Sequence, residues 1–254
     1  MDLPDLVIVL SRVSEPGNVG AVCRAMKNMG LSRLRIAGIE ASANPGRFSA
    51  QETALLRARA VHAADIWEKA EFFDSLGPAL ADMSLTIGIT RRRGHRRKPV
   101  TMDSRTLAAW LREKPGSAAL VFGNERTGLE DHELALCNLA SHIPSSGAFP
   151  SLNLSHAVQI YAYELFLALE TGPDAAVAGP DAVKGAWVPL THAQAAELSL
   201  SITNTLESLG FYRHPGREIQ ERFLRDLICR AGLTAREGKY LEDMFAKAGR
   251  LGAQ

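Results

Sequence analysis

The 254-residue chain has only three cysteines, Cys23, Cys137 and Cys229, and no two of them form a C-x-x-C pair. An odd count without paired spacing argues against a disulfide framework and a structural zinc site, so each thiol is expected to be buried and inert. No cluster of His, Cys, Asp and Glu has metal-ligand spacing, and no metal is expected. Long apolar runs are missing as well. None approaches the roughly 18 residues that span a bilayer, and the opening Met1-Asp2-Leu3-Pro4-Asp5 carries acid where a secretory leader carries basic residues. The expectation is a soluble, cytoplasmic protein with no membrane partner. Excess charge is also lacking: 29 Lys and Arg against 28 Asp and Glu leave a net +1, so any positive field for a polyanion has to be local. Apolar residues, by contrast, make up 46% of the chain, enough for one sizeable core and a small second one.

The first two thirds of the sequence alternates β-rich runs with helical stretches, the pattern of an α/β fold on a mostly parallel sheet. Strands are predicted at Leu6 to Leu10, Leu34 to Ala37, Ser84 to Thr90, Ala119 to Phe122 and around Ile143. A helix is predicted after the turn Glu15-Pro16-Gly17-Asn18, with Asn18 as its cap, Val19, Cys23 and Met26 on its buried face, and an end near Gly30. Others are predicted near Ser49 to Arg59, Asp103 to Arg112, Asp131 to Cys137 and Leu154 to Glu170. Thr171 to Pro189 is rich in Gly, Pro and Ala and reads as a linker. Beyond it the pattern is helical. Thr191 with Gln194 and Thr234 with Glu237 have capping-box spacing, and apolar stripes run through Leu198/Ile202/Leu206/Leu209, Ile219/Phe223/Leu227 and Leu241/Met244/Phe245. The expected division is an α/β domain over residues 1–172, a linker over 173–189 and a small helical domain over 190–254.

Three loop segments place small or polar residues next to predicted strand ends, where open α/β sheets bind ligands. The first is Glu15-Pro-Gly-Asn-Val-Gly-Ala-Val-Cys-Arg24. Taken singly, its Asn18 reads equally well as a helix cap, and Arg24 as a solvated helix arginine. The second is Val121-Phe-Gly-Asn-Glu-Arg-Thr-Gly-Leu129, where Gly123 permits close backbone approach and Gly128 a tight turn. It is not a phosphate-binding P-loop, because Leu129-Glu130 follows Gly128 in place of Lys-Ser/Thr. Gly17 and Gly20 likewise miss the G-x-G-x-x-G spacing, which disfavours a nicotinamide-dependent oxidoreductase. The third is Ile143-Pro-Ser-Ser-Gly-Ala-Phe-Pro-Ser-Leu-Asn-Leu-Ser155, a polar loop feeding a long amphipathic helix, with Ser151 and Asn153 as candidate caps or functional groups.

Asn18-x-Gly20-x-x-x-Arg24, Phe122-Gly123-x-Glu125-x-x-Gly128-Leu129, and Ile143-Pro144 with Ser151-Leu152-Asn153, in that order, closely resemble the three motifs of the SpoU branch of the SPOUT methyltransferases. The likeness extends over roughly residues 5 to 170. It implies a deep trefoil knot in the C-terminal part of the α/β domain, an exception to the usual unknotted topology. It also implies a homodimer whose subunits complete each other's sites, and bent S-adenosylmethionine bound in the knot. By matching position, the cofactor pocket would involve Ile89, Thr90, Arg91, Gly123, Ile143, Pro150, Ser151 and Leu152. The catalytic set would be Arg24, Asn18, Glu125 and Asn153, acting on an RNA ribose 2′-hydroxyl. An arginine guanidinium stays protonated in proteins, so the expectation is that Arg24 clamps a phosphate and stabilises the developing alkoxide, the proton leaving to phosphate or water.

The C-terminal extension, with Gly210-Phe211, His214-Pro215 and the arginine-rich stretch around Arg222 and Arg225, is similar to that of the TrmJ-type branch. This implies tRNA as substrate, modified at the first nucleotide of the anticodon loop. Ribosomal RNA is the alternative substrate, and a non-catalytic RNA-binding protein on the same fold is the alternative class. One departure stands out: Arg91-Arg92-Arg93-Gly94-His95-Arg96-Arg97-Lys98 is far more basic than the family pattern. Because this run borders the expected cofactor pocket, Arg92, Arg93, Arg96 and Arg97 are assigned to RNA phosphates, while Arg222 and Arg225 of the helical domain are assigned to a second RNA-binding surface that reads overall tRNA shape.

Overall fold

The computed structural model describes residues 1–38, 48–91, 101–148, 151–170, 188–212 and 216–252. Among these residues seven strands form one wholly parallel sheet: β1 (Leu6–Ser11), β2 (Arg33–Ala37), β3 (Glu71–Phe73), β4 (Leu85–Ile89), β5 (Thr101–Asp103), β6 (Ala118–Phe122) and β7 (Leu139–His142). Their order is β3-β2-β1-β6-β4-β7-β5. The predicted strands are present; the three-residue edge strands β3 and β5 were too short to show a period.

The helices are α1 (Pro16–Asn28), α2 (Ala50–Ala60), α3 (Ala64–Glu68), α4 (Leu76–Leu80), α5 (Ser104–Arg112), α6 (Asp131–Leu136), α7 (Leu154–Glu170), α8 (His192–Ser208), α9 (Arg217–Ala231) and α10 (Ala235–Gly252). None is long and apolar enough to cross a membrane.

Both faces of the sheet are covered, as its continuous apolar strands require. Leu6, Ile8 and Leu10 of β1 point to one side and pack with Val19, Cys23 and Met26 of α1, Leu56 of α2, Leu107 of α5 and Val158, Tyr161 and Leu165 of α7. Val7 and Val9 point to the other, against Leu76 and Leu80 of α4 and Leu134 of α6. Each such side chain, once buried, contributes about 1.5–3 kcal/mol. All three cysteines are buried thiols outside any disulfide, and burial pushes Cys23 and Cys229 up to about 12.

Asn18 does not cap α1. The cap position is Glu15, with Pro16 in the first helical position, and Asn18 is the third residue of the helix, within its first turn. Gly20 faces α2 so closely that a Cβ there would stand 2.1 Å from the Leu56 carbonyl oxygen.

Helices α8, α9 and α10 share a smaller core of Leu198, Ile202, Ile228 and Cys229. They dock at the amino ends of the strands. The His192 N–H donates to Met83 O at 2.7 Å and that of Ala193 to Ala81 O at 3.1 Å, both just before β4. His192 Nε2 lies 2.9 Å from Leu136 O, before β7, and Arg225 donates to Ala135 O at 2.7 Å. The expected buried stripe Ile219/Phe223/Leu227 is instead exposed, at 62%, 54% and 44%, because α9 turns Ile228 and Cys229 inward.

On β2, Arg35 is 3% exposed; it donates to both Asp82 oxygens, at 2.5 and 2.8 Å, and to Ala79 O at 2.8 Å. Its hydrogen bond holds the Asp82 carboxyl below the ordinary value.

Two outcomes follow from this packing. Gly20→Ala forces α1 and α2 apart against a backbone oxygen and is expected to cost about 1–3 kcal/mol, read as a fall of about 2–4 °C in Tm per kcal/mol. Asp82 has a folded-state pKa below its unfolded value of about 3.9, so its contribution is present above that pH and lost as pH falls through the folded value. Asp82→Asn is therefore expected to flatten the acid limb of a Tm-versus-pH curve below about pH 4, to an extent trimmed by solvent screening of this partly exposed carboxylate.

Candidate active site

The register places Leu10 of β1, Phe122 of β6, Ile89 of β4 and Ser141 of β7 in one row across the sheet. The segments leaving these carboxyl ends therefore emerge side by side, which is where parallel sheets gather ligand sites. They surround a cleft enclosing about 890 Å³ of free space, open to solvent. Its walls are Ile89, Thr90 and Arg91 after β4, Phe122 to Leu129 after β6, Ile143 after β7, and Ser151, Leu152, Leu154 and Ala157 around the start of α7. Ile89, Thr90, Arg91, Gly123, Ile143, Ser151 and Leu152 thus share one lining, while Pro150 lies outside the described residues. Behind it, Phe122 packs edge-on against Tyr161, with ring centroids 5.8 Å apart, and the Tyr161 and Ser141 hydroxyls are 2.7 Å from each other. Burial pushes the Tyr161 phenol well above its ordinary value.

The loop after β6 folds back on itself. A Cβ on Gly123 would stand 2.2 Å from the Gly128 carbonyl carbon and 2.3 Å from Leu129 N, so only glycine permits this closure. Gly128 adopts φ +68° and donates its N–H to Asn124 O at 2.8 Å. Asn124 Oδ1 accepts from the Arg126 N–H at 2.9 Å, and its Nδ2 donates to Arg12 O at 2.7 Å.

From this loop Glu125 reaches the entry of α1. One carboxylate oxygen accepts from Ser14 N and Oγ at 3.3 and 3.2 Å, the other from Glu15 N at 3.2 Å and Asn18 Nδ2 at 3.3 Å. Asn18 Oδ1 in turn accepts from Asn153 Nδ2 at 3.0 Å, and Asn153 Oδ1 accepts from Ser155 N and Oγ at the start of α7. Asn18, Glu125 and Asn153 therefore form one connected chain. A carboxylate at a helix N-terminus is stabilised by the unpaired N–H groups and the helix dipole.

Arg24 is not part of that chain. It lies six residues along α1 from Asn18, or about 9 Å along the axis. Its side chain is exposed, has no hydrogen bond or ion pair among the described residues, and does not line the cleft of its own chain. Glu125, engaged by Ser14, Glu15 and Asn18, makes no bond to Arg24 among the described residues. Arg92, Arg93, Arg96 and Arg97 lie outside the described residues. Arg222 is exposed on α9, whereas the Arg225 side chain is 15% exposed and donates to Ala135 O at the joint between α9 and the sheet. Among the described residues no group of three or more His, Cys, Asp and Glu could hold a metal ion. The sequence reading missed Ser14 and Asn124; a hydroxyl just before a helix entry, and an asparagine inside a glycine-bounded turn, were the available signals.

The SpoU rRNA Methylase family matches residues 5–163. A tRNA (cytidine/uridine/adenosine-2′-O-)-methyltransferase TrmJ of Pseudomonas aeruginosa is 41% identical over 165 residues, 63% of this chain and 60% of that protein. Several such relatives are matched over less than two thirds of their own length, 60% to 66%. Against a tRNA (cytidine/uridine-2′-O-)-methyltransferase TrmJ of Cronobacter sakazakii the identity is 34% over 249 residues, 96% of each chain. The crystal structure of TrmJ from Z. mobilis ZM4 superposes with a TM-score of 0.71 at 25% identity, covering 96% of this chain and 98% of that one. Since the matched residues make up more than half of the chain and contain every strand of the sheet and every residue that walls the cleft, this chain belongs to the SpoU methylase family.

Proposed function

We propose that the chain methylates a ribose 2′-hydroxyl of tRNA, at the first nucleotide of the anticodon loop, with S-adenosylmethionine as methyl donor, and that it works in the cytoplasm as a homodimer on a knotted SPOUT fold. The observation that carries this reading is the cleft at the strand carboxyl ends, into which Glu125, Asn18 and Asn153 tie the three family segments. The names of the relatives support the tRNA ribose as substrate.

The residues present suit the donor. Ile89, Ile143, Leu152 and Ala157 offer apolar walls for an adenine ring, and the fold-back at Gly123 leaves backbone rather than side chain facing the cavity. When bound, S-adenosylmethionine supplies a methyl group on a positively charged sulfur. The protein's own contribution is placement, because an in-line displacement gains most from holding the ribose oxygen in position. Asn18 and Asn153, fixed to each other and to Glu125, hold the rim beside which the ribose would sit. Arg24 supplies the cation that holds the adjoining phosphate and stabilises the developing alkoxide, and the 2′-hydroxyl proton leaves to phosphate or water. Exposure of Arg24 outside its own chain's cleft supports its service to the partner's site, and hence the homodimer. Arg91 and Arg126 line the cleft, and Arg92, Arg93, Arg96 and Arg97 follow in sequence to track the RNA backbone. The helices over 190–254, with Arg222 and the exposed Phe211 and Phe223, form the surface that reads tRNA shape.

The expected separation of roles is testable. Arg24→Ala leaves S-adenosylhomocysteine affinity near that of the wild type in calorimetry, while methyl transfer to tRNA falls by about a hundredfold or more, the scale of losing a transition-state donor. Loss of both together contradicts the assignment of Arg24. Replacing Arg92, Arg93, Arg96 and Arg97 with Ala weakens tRNA binding and lowers its salt slope by about one unit for each phosphate no longer neutralised, measured by filter binding across a salt series. An unchanged slope returns that run to the solvent.

A further inference from the structure

The end of β1 carries a second network that the steps above do not use. Arg12 has φ +54°, left-handed backbone that strains a bulky residue and persists only where the surroundings impose it. The Arg12 N–H donates to Ala37 O at 2.8 Å, and its carbonyl accepts from Asn124 Nδ2 at 2.7 Å. Its guanidinium is paired bidentately with Glu133, Nε to Oε1 at 2.9 Å and Nη2 to Oε2 at 2.7 Å, and meets Glu130 through Nη1 at 2.8 Å. The Glu133 side chain is 3% exposed and also accepts from Ser11 Oγ at 2.5 Å and Glu130 N at 2.8 Å. Burial works to raise the Glu133 carboxyl, but hydrogen bonds from Arg12, Ser11 and the Glu130 amide outweigh it and hold it below the ordinary value. The guanidinium is therefore a fixed fork, not a mobile surface cation. Its remaining Nη2 hydrogen is directed to Gly128 O at 3.1 Å, at the left-handed turn of the loop after β6.

We propose that Arg12 is a positioning residue of the methyl-donor site: anchored on Glu133, it grips the Asn124–Leu129 loop at the Gly128 carbonyl and, through its own carbonyl, at Asn124. Arg12 does not itself line the cleft; it acts through the wall formed by that loop and so keeps Gly123 and Glu125 in place. The proposal rests on the reading of the cleft as the S-adenosylmethionine site.

The test is calorimetric titration of S-adenosylhomocysteine into the full chain, with Tm measured in parallel. Four proteins are compared: wild type, Arg12→Lys, Arg12→Asn and the double variant Arg12→Asn with Glu133→Gln. Asparagine tolerates the left-handed backbone and keeps the main-chain bond to Asn124, but it is too short to reach Gly128. Glutamine at 133 removes the buried charge that Arg12 would otherwise leave unpaired. The expected result is that Arg12→Asn lowers Tm and weakens binding about tenfold, the equivalent of one charge-assisted hydrogen bond. The double variant recovers Tm while its binding stays weak, and Arg12→Lys falls between wild type and Arg12→Asn. Wild-type affinity in the double variant would overturn the proposal, reducing Arg12 to a counter-ion for Glu133. Absence of binding to the wild type would instead remove the cofactor reading on which the proposal rests, and the two failures are told apart by that single curve.

Discussion

The cleft depends on one carboxylate. Glu125 stands on a loop that leaves β6, yet four donors from the entry of α1 converge on its two oxygens. Without it the Ser14 and Glu15 N–H groups just ahead of α1 lose their acceptor, and the tie between the segment after β1 and the segment after β6 is left to Arg12, which bonds Gly128 O and accepts from Asn124 Nδ2. Asn18 extends the link to Asn153, which caps α7, so three segments distant in sequence are held by a continuous run of hydrogen bonds. Glycine at position 123 is the steric counterpart of this link, because the loop that presents Glu125 folds directly over it.

The parallel sheet divides the molecule into two ends with different work. Its carboxyl ends open into the cleft, while its amino ends receive α8, α9 and α10 through main-chain carbonyls of Ala81, Met83, Ala135 and Leu136 and through Pro189, which packs on Gly116. A five-residue strand separates these ends by about 17 Å. The helices therefore do not border the cleft of their own chain. Under the proposed function, an RNA that engages both surfaces has to be a large folded one, or has to bridge two copies of the chain.

Much of this was legible in the sequence because its signals are local. Apolar runs bounded by turn residues marked the long strands, the amphipathic stretch Leu154–Glu170 marked α7, and the second and third polar segments at strand ends marked cleft walls. What stayed hidden depended on tertiary context. Asn18 has the chemistry of a cap, but Pro16 starts the helix earlier and frees its amide to bridge Glu125 and Asn153. The Ile219/Phe223/Leu227 spacing shows that three apolar side chains share a helix face, yet spacing cannot say which face is covered, and α9 buries Ile228 and Cys229 instead. Arg225 reads as a surface cation in a basic stretch until the docking of α9 turns it onto the Ala135 carbonyl. Gly20, a motif position of the first segment, is used for helix packing against α2, a role its sequence setting does not show.

The central claim is that a cleft held together by Glu125, Asn18 and Asn153 directs a methyl group to a ribose oxygen of tRNA. The most direct measurement incubates the full chain with labelled S-adenosylmethionine and either tRNA or ribosomal RNA, then digests the product to nucleosides and identifies the labelled one. The account predicts a 2′-O-methylated nucleoside from the anticodon loop of tRNA. A label on a base, on ribosomal RNA alone, or on neither RNA would contradict it.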